Sequence, residues 1–406
     1  MNVVFISPHF PEHFYNFCDR LKRMGVNVLG IGDCPYDNLS DNCRNSLTEY
    51  YYVQSMENYD ELYRAVAFYT FKYGRIDYID SQNEYWLEKE AQLRTDFNVT
   101  SGFKAADMEI VKYKSKMKAG YEKAGVKTAR YHLVYDYENT KAFIDTVGYP
   151  VVIKPDNGVG ASDTWKIRND EQLAEFWGQK SDSKQYICEE FVPGHIETFD
   201  GITDSSCNVL FYTGQVLGVS PMDMMNGEVS ETISYTQNVQ ALPDLSDAGQ
   251  RVVKAFNVRN RFFHFEFFRL DEDREGLGKK GEVIGLEVNM RAPGGYIPDK
   301  MNYAYDVDVY QIWAESLVYD KNLSFPDYKF KYYVTHFGRT GGVQYAHAPE
   351  EVAPRFGGRM LLEKEPPKAL NGPMGSHIFM LRAESLEELN EQARFILGHA
   401  DGQMGV

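Results

Sequence analysis

G-L-E-V-N-M-R-A-P-G-G runs from Gly285 to Gly295. Glu287, Asn289 and Arg291 occupy every second position, so on a β-strand their side chains leave from one face while Leu286, Val288 and Met290 leave from the other. Upstream, Phe262 to Phe268 alternates in the same way: His264, Glu266 and Phe268 share one face, Phe263, Phe265 and Phe267 the other. Asp271 to Glu282, charged and Gly-rich, reads as the loop of a hairpin joining the two runs. Folded about its middle near Gly276, that hairpin brings Glu266 opposite Glu287. Two carboxylates and a carboxamide on one face repel or stay badly desolvated unless a hard cation holds them. An all-oxygen set suits magnesium or manganese, with a phosphate completing the shell. A half-exposed antiparallel hairpin with a solvated acidic face is the other reading of the same pattern.

The chain of 406 residues has room for two or three domains, and 43% hydrophobic with 25% charged residues is ordinary for a soluble enzyme. A net charge of -16 and a pI near 5.1 supply no basic field for nucleic acid or an anionic membrane. Val3-Val4-Phe5-Ile6 is too short for a signal sequence and lacks a basic flank, and no stretch approaches membrane-spanning length, so a cytoplasmic protein is expected. Cys18, Cys34, Cys43, Cys188 and Cys207 are odd in number and lack any C-x-x-C spacing, which suggests neither a disulfide framework nor a zinc site.

The first hundred residues alternate strand and helix: Val3 to Ser7, then Phe14, Phe17, Cys18 and Leu21 at helical spacing, then Val26 to Ile31 and Ile76 to Ile79. This is the pattern of a small doubly wound α/β unit. Its first turn, Ser-Pro-His-Phe-Pro, carries no G-x-G-x-x-G, and His9 and His13 read as surface or substrate-side residues. A boundary falls near Ser101 to Lys104. Ala105 to Lys123 reads as one lysine-rich helix, on which Lys112, Lys114, Lys116 and Lys118 scatter round the axis and form mostly a solvated face. In Tyr149 to Ile167 a β-branched run ends at Lys154-Pro155, before a loop of small residues, Gly158, Gly160, Ala161 and Ser162, that lets backbone N–H groups approach an anion. A helix spans Asp170 to Trp177, and a strand from Tyr186 to Val192 stops at Pro193-Gly194 like an interdomain hinge. Further strands are expected at Asn208 to Thr213 and Val216 to Ser220, with a helix at Ser246 to Val258. Beyond Tyr319 the signals are strands at Tyr332 to His336 and His377 to Leu381, a Gly341-Gly342 turn and a helix from Leu386 to Ile396.

A basic strand residue, a Gly-rich loop, a Glu-Glu hinge strand and a Glu hairpin ending E-x-N-x-R follow one another in an order that resembles the ATP-grasp superfamily, and within it the carboxylate-amine ligases of the L-amino acid ligase type. The resemblance covers roughly residues 105 to 320. It implies an α/β protein in three parts: a Rossmann-like preATP-grasp domain at 1–104; an ATP-grasp domain at 105–320 with a lid subdomain at about 126–190; and a C-terminal α+β extension at 321–406 that closes the substrate cleft.

The resemblance also implies roles. Lys114, eleven positions before Gly125, and Lys154 contact ATP phosphate, and Gly158, Gly160, Ala161 and Ser162 form the loop that covers the phosphates. Glu189 to Val192 is the hinge, where backbone groups of Glu190 and Val192 read adenine; Glu197 holds the ribose and Phe268 lies under the base. Glu266, Glu287 and Asn289 hold Mg2+ or Mn2+, and Arg291 faces the substrate carboxylate or acyl phosphate. Gly294 and Gly295 N–H groups could help hold the oxyanion, and His264, Arg269, Tyr296 and Arg339 are candidates for the amine pocket. The implied chemistry is ADP-forming C–N ligation of a small-molecule carboxylate to an amine, with no nucleic-acid or membrane partner and a homodimer left open. Thr198 to Met225 contains no lysine or arginine, unlike the basic segment of biotin carboxylases, which argues against bicarbonate and biotin. An ATP-grasp enzyme of nucleotide or cofactor biosynthesis, or a non-catalytic nucleotide-binding regulator, are the alternatives.

Overall fold

The computed structural model describes residues 1–158, 163–218, 231–366 and 374–401. The N-terminal unit runs β1 (Asn2–Ile6), α1 (Tyr15–Arg23), β2 (Asn27–Gly32), α2 (Asp41–Ser46), β3 (Glu49–Tyr52), α3 (Tyr59–Tyr73), β4 (Tyr78–Asp80) and α4 (Leu87–Asp96). Its sheet is parallel, in the order β3-β2-β1-β4. Every residue of β1 is buried, as expected of an apolar run covered on both faces.

The stretch expected to be one helix is two: α5 (Met108–Lys112) and α6 (Lys114–Lys123). Tyr113, at φ -92° and ψ 119°, breaks them apart, and the Lys114 amide donates to the Asp156 carbonyl at 2.9 Å. The break resets the helical phase. Lys112, Lys114 and Lys118 are therefore buried, and Lys116 alone of the four is exposed.

A small antiparallel sheet follows, ordered β5-β8-β6-β7 from β5 (Tyr131–Val134), β6 (Val151–Pro155), β7 (Trp165–Ile167) and β8 (Tyr186–Glu190). It packs against α7 (Tyr137–Val147) and α8 (Asp170–Gln179). Asp136 caps α7 by accepting from the Asn139 amide, and Gly148 ends it at φ +80°.

The remaining strands form one eight-stranded sheet in the order β13-β12-β9-β10-β11-β14-β16-β15. They are β9 (Gly194–Thr203), β10 (Val209–Leu217), β11 (Thr232–Gln237), β12 (Phe262–Leu270), β13 (Val283–Asn289), β14 (Tyr333–Arg339), β15 (Met360–Lys364) and β16 (His377–Ala383). Helices α9 (Pro243–Ala255), α10 (Ile297–Tyr305), α11 (Val309–Val318), α12 (Val352–Phe356) and α13 (Leu386–Leu397) cover its faces. The strand expected to run from Tyr186 into the Pro193-Gly194 break ends at Glu190, and beyond the break at 191–193 a strand of ten residues, β9, starts at Gly194. Gly214-Gln215, the gap between the two strands expected at Asn208 to Thr213 and Val216 to Ser220, lies inside β10, because Gly214 marks a close approach rather than a turn. A Cβ there would sit 2.4 Å from the Thr198 carbonyl oxygen.

The C-terminal strands extend this sheet, β14 pairing with β11 on one side and β16 on the other. The N-terminal unit is joined to it by a shared aromatic core in which Phe17 meets Trp313, Tyr310 and Phe262 edge-on. Beside that core the buried Arg261 donates to the Met290 carbonyl at 2.5 Å and lies 3.3 Å from Glu90 and 3.5 Å from Asp80 of the N-terminal unit. No described helix is long and apolar enough to cross a membrane.

Candidate functional site

Strands β12 and β13 pair so that Glu266 lies opposite Glu287 and His264 opposite Asn289. The register slips by one residue between Glu266 and Phe267. That bulge turns Leu286, expected on the apolar face, into the cavity beside Glu287.

The cavity, about 350 Å3, lies between this face of the large sheet and the small sheet. Lys114, Lys154, Glu189, Glu190, Val192, Phe268, Glu266, Glu287, Asn289 and Arg291 all line it. Gly158 is near, its carbonyl 3.4 Å from Lys114 Nζ. Gly160, Ala161 and Ser162 lie outside the described residues.

Glu197 is the exception. Thr198 pairs with Glu266 and Ile196 with Phe268, so alternation along β9 sends Glu197 to the other face, where Arg269 Nε donates to it at 2.8 Å. Glu197 is thus not among the residues lining the cavity, although His195, which does line it, lies 3.6 Å from its carboxylate, and Arg269 is tied to Glu197 and Asp244.

Charges inside the cavity are interlocked. Glu189 is buried between Lys118, with which it forms a short ion pair, and Lys154 at 2.6 Å. Burial alone would raise its carboxyl pKa, but the two ammonium groups outweigh that and hold it at about 2. Burial likewise pulls Lys154 down, and Glu189 and Glu287 more than offset it. Among the described residues Glu287 forms one ion pair, with Lys114 at 3.5 Å, while Lys154 acts on it from further away. Burial, with Glu84 and Glu266 adding repulsion, keeps its pKa above the ordinary value.

Arg291 Nη2 donates to Glu84 at 2.8 Å, and Lys112 approaches the other Glu84 oxygen at 3.5 Å. Glu84 thereby stays ionised despite its burial. On the sheet itself, His264 sits between Asp200 at 2.6 Å and Glu266 at 3.1 Å. Burial is outweighed by these two acids, and the imidazole pKa rises to about 9. Further along the same face Lys300 donates to Ser234, and its burial lowers its pKa to about 7.

Hinge groups are partly committed. The Glu190 amide donates to the Arg130 carbonyl at 3.0 Å and the Glu190 carboxylate pairs with the Arg130 guanidinium at 2.6 Å, which leaves the Glu190 carbonyl for a ligand.

Glu84, Lys118 and Asp200 were not foreseen as parts of this site. Asp200 alternates with Thr198, a signal that goes unread where no strand is expected over 194–203; Lys118 is i+4 from Lys114 and so its neighbour on the helix, a pairing passed over by reading the lysines as a solvated face. Nothing in the local sequence of Glu84 points here, since it arrives from the N-terminal unit.

Residues 119–274 match the model of the ATP-grasp domain. The chain carries an ATP-grasp domain. Around it, 268 residues are 24% identical to the L-arginine-specific L-amino acid ligase of Bacillus subtilis, covering 62% of this chain and 60% of that protein's length. The L-amino acid ligase of Bacillus licheniformis superposes with a TM-score of 0.70 at 16% identity, over 96% of this chain and 95% of the other. N5-carboxyaminoimidazole synthetase of Staphylococcus aureus gives 0.69 at 13% identity, over 97% and 96%. These likenesses establish the ATP-grasp fold along nearly the whole chain. The family-model match takes in the whole small sheet and strands β9 to β12 of the large one.

The donor set fits a divalent cation. Among the described residues no three acidic, histidine or cysteine side chains converge to cage an ion alone. Two carboxylates and a carboxamide leave coordination positions for phosphate oxygens and water, which is how magnesium is usually held. The raised pKa of Glu287 marks negative charge in want of a counter-ion.

Proposed function

We propose that the protein is an ATP-dependent carboxylate-amine ligase that makes an amide bond through an acyl phosphate and releases ADP and phosphate. The observation that carries this reading is the facing pair Glu266 and Glu287, with Asn289 beside them and Lys114, Lys154 and Arg291 lining the same cavity. Likeness to the L-amino acid ligases points the same way.

In this reading the Glu190 carbonyl and the Val192 amide meet the adenine edge, with Phe268 and Ile196 beside the ring. Lys114 and Lys154 face the phosphates, Lys154 held in place by Glu189 so that its charge is aimed before a ligand arrives. Glu266, Glu287 and Asn289 would hold a divalent ion, which when bound neutralises charge on the transferring phosphoryl group. Arg291 forks onto the substrate carboxylate, a task for which lysine is a poor substitute. Glu84 occupies Arg291 meanwhile, so the substrate carboxylate has to compete with it. Gly294 and Gly295 N–H groups face the oxyanion as the amine attacks. The small sheet, about 126–190, acts as the lid that excludes water. The absence of lysine and arginine from Thr198 to Met225 favours an organic acid over bicarbonate. A homodimer is the proposed assembly, measurable by sedimentation.

The test is ADP formation from Mg-ATP across a matrix of free amino acids and small carboxylic acids, singly and in pairs. One pair stimulates ADP release, mass spectrometry finds its amide, and Arg291→Ala abolishes both. ATP binding without stimulation by any pair would overturn the reading in favour of a nucleotide-binding regulator or a different acceptor.

A further inference from the structure

Three arginines are fully buried among the described residues: Arg94, Arg261 and Arg339. Arg94 and Arg261 share Glu90. Arg339, the last residue of β14 and 3% exposed, has no ion pair among the described residues. Its Nε donates to the Ile396 carbonyl at 2.8 Å, its guanidinium lies 4.4 Å from the centroid of Tyr345 and 5.4 Å from that of Phe379, and its Nη2 has no partner. Burial holds its pKa below the ordinary value, which Tyr345 and the more distant Glu350, Glu351 and Glu363 offset only in part. Two of those acids are already engaged, Glu351 with His347 at 2.9 Å and Glu363 with His377 at 3.0 Å.

Arg339 lines a second cleft, of about 330 Å3. The cleft lies on the sheet face opposite Lys300 and the metal-type carboxylates. His336 faces Ser234 and Lys300, and Arg339, three residues on, faces α13. Val343, Tyr345, Ala348 and Pro349 give it apolar walls, and Gly341 and Gly342 form its floor without side chains.

We propose that this cleft binds the carboxylate of a small organic acid with an apolar body, Arg339 supplying the counter-charge. A guanidinium taken out of water without an acid is costly, and a carboxylate that accepts from the unpartnered Nη2 removes that cost. The planar fork matches two carboxylate oxygens. The apolar walls favour a hydrocarbon body over a bare inorganic anion. The cleft also borders the strand pair that reaches the nucleotide cavity: Tyr345 donates to Glu231 at 3.3 Å, and Gly218, which lines that cavity, donates to the Ile233 carbonyl at 3.0 Å.

The test is calorimetric titration of the full chain with isovalerate and, separately, with inorganic phosphate. Isovalerate is expected to bind, phosphate to bind more weakly, and Arg339→Met to weaken isovalerate by about tenfold or more. Arg339→Met removes an unpaired charge, so its thermal midpoint is expected to equal or exceed that of the wild type. Ala348→Trp fills the cleft while keeping Arg339 and loses the response as well. Arg291→Ala keeps it, which separates this cleft from any carboxylate site in the front cavity. The proposal is overturned by absence of isovalerate binding, by phosphate binding as tightly, by binding that survives both cleft variants, or by a marked drop in the Arg339→Met midpoint. None of these results bears on the ligase reading, which stands or falls on ADP release.

Discussion

Arg291 at the end of the metal-type hairpin donates to Glu84 of the N-terminal unit at 2.8 Å, across 207 positions of sequence. Arg261 fixes the Met290 carbonyl and Gln82 accepts from the Ala292 amide at 2.9 Å, so the N-terminal unit grips this arginine, its side chain and the backbone after it. Replacing Glu84 by alanine takes from the buried Lys112 and the half-buried Arg291 the acid they share. The expected loss is about 3 kcal/mol of stability, read from urea unfolding at neutral pH. Arg291→Lys keeps the charge but not the fork, and ADP release with the cognate pair should fall roughly 100-fold or more.

Glu189 is held at about 2 against an ordinary 4.5 by Lys118 and Lys154. A depressed carboxylate contributes its stability above the ordinary value and loses it as pH falls toward the depressed one. Roughly 3 kcal/mol is therefore present at pH 7 and disappears between about pH 4.5 and pH 2. The stability difference between wild type and Glu189→Gln should shrink over that window. A difference independent of pH there would show that the carboxylate is not what the lysines need.

The raised pKa of Glu287 means that its charged form is disfavoured by folding. In metal-free protein, Glu287→Gln should accordingly be at least as stable as wild type. The same substitution should remove the magnesium dependence of nucleotide binding, measured calorimetrically with and without EDTA. Undiminished magnesium-dependent binding would sink the ligand assignment.

Lys300 is depressed from 10.5 to about 7 by burial. Between those values the unfolded chain binds the proton and the folded chain does not, so this group makes stability rise with pH from about 7 to about 10.5. Lys300→Met should flatten that rise, and its unfolding free energy near pH 7 should be no lower than that of the wild type. An unchanged slope would mean that the ammonium is better solvated than its burial indicates.

A chain ending at Asp320 would lose β14, β15 and β16 and leave β11 as a bare edge. Such an edge is a template for aggregation, so the truncated chain should be insoluble and inactive, measured by sedimentation and ADP release. A soluble, active product would show that the C-terminal strands are dispensable to the sheet.

The sequence by itself determined everything that depends on local period. Alternation set the face of Glu266, Glu287 and Asn289, though not that of Leu286, which the bulge turns, and the register of that hairpin followed from its loop, so Glu266 opposite Glu287 was legible from residue spacing. The parallel N-terminal sheet was legible from its alternating strands and helices. What the period could not carry came from contacts distant in sequence. Gly214 looked like a turn because nothing local reports the Thr198 backbone that needs its missing side chain. The lysines of 112–118 looked solvated because the break at Tyr113 is fixed by pairing with Asn157 and Asp156. Glu197 is assigned its face only by the pairing of β9 with β12. Which acid meets Arg291, and that none among the described residues meets Arg339, are facts of tertiary structure alone, because side chains hundreds of positions apart acquire partners only when packing brings their elements together and excludes water.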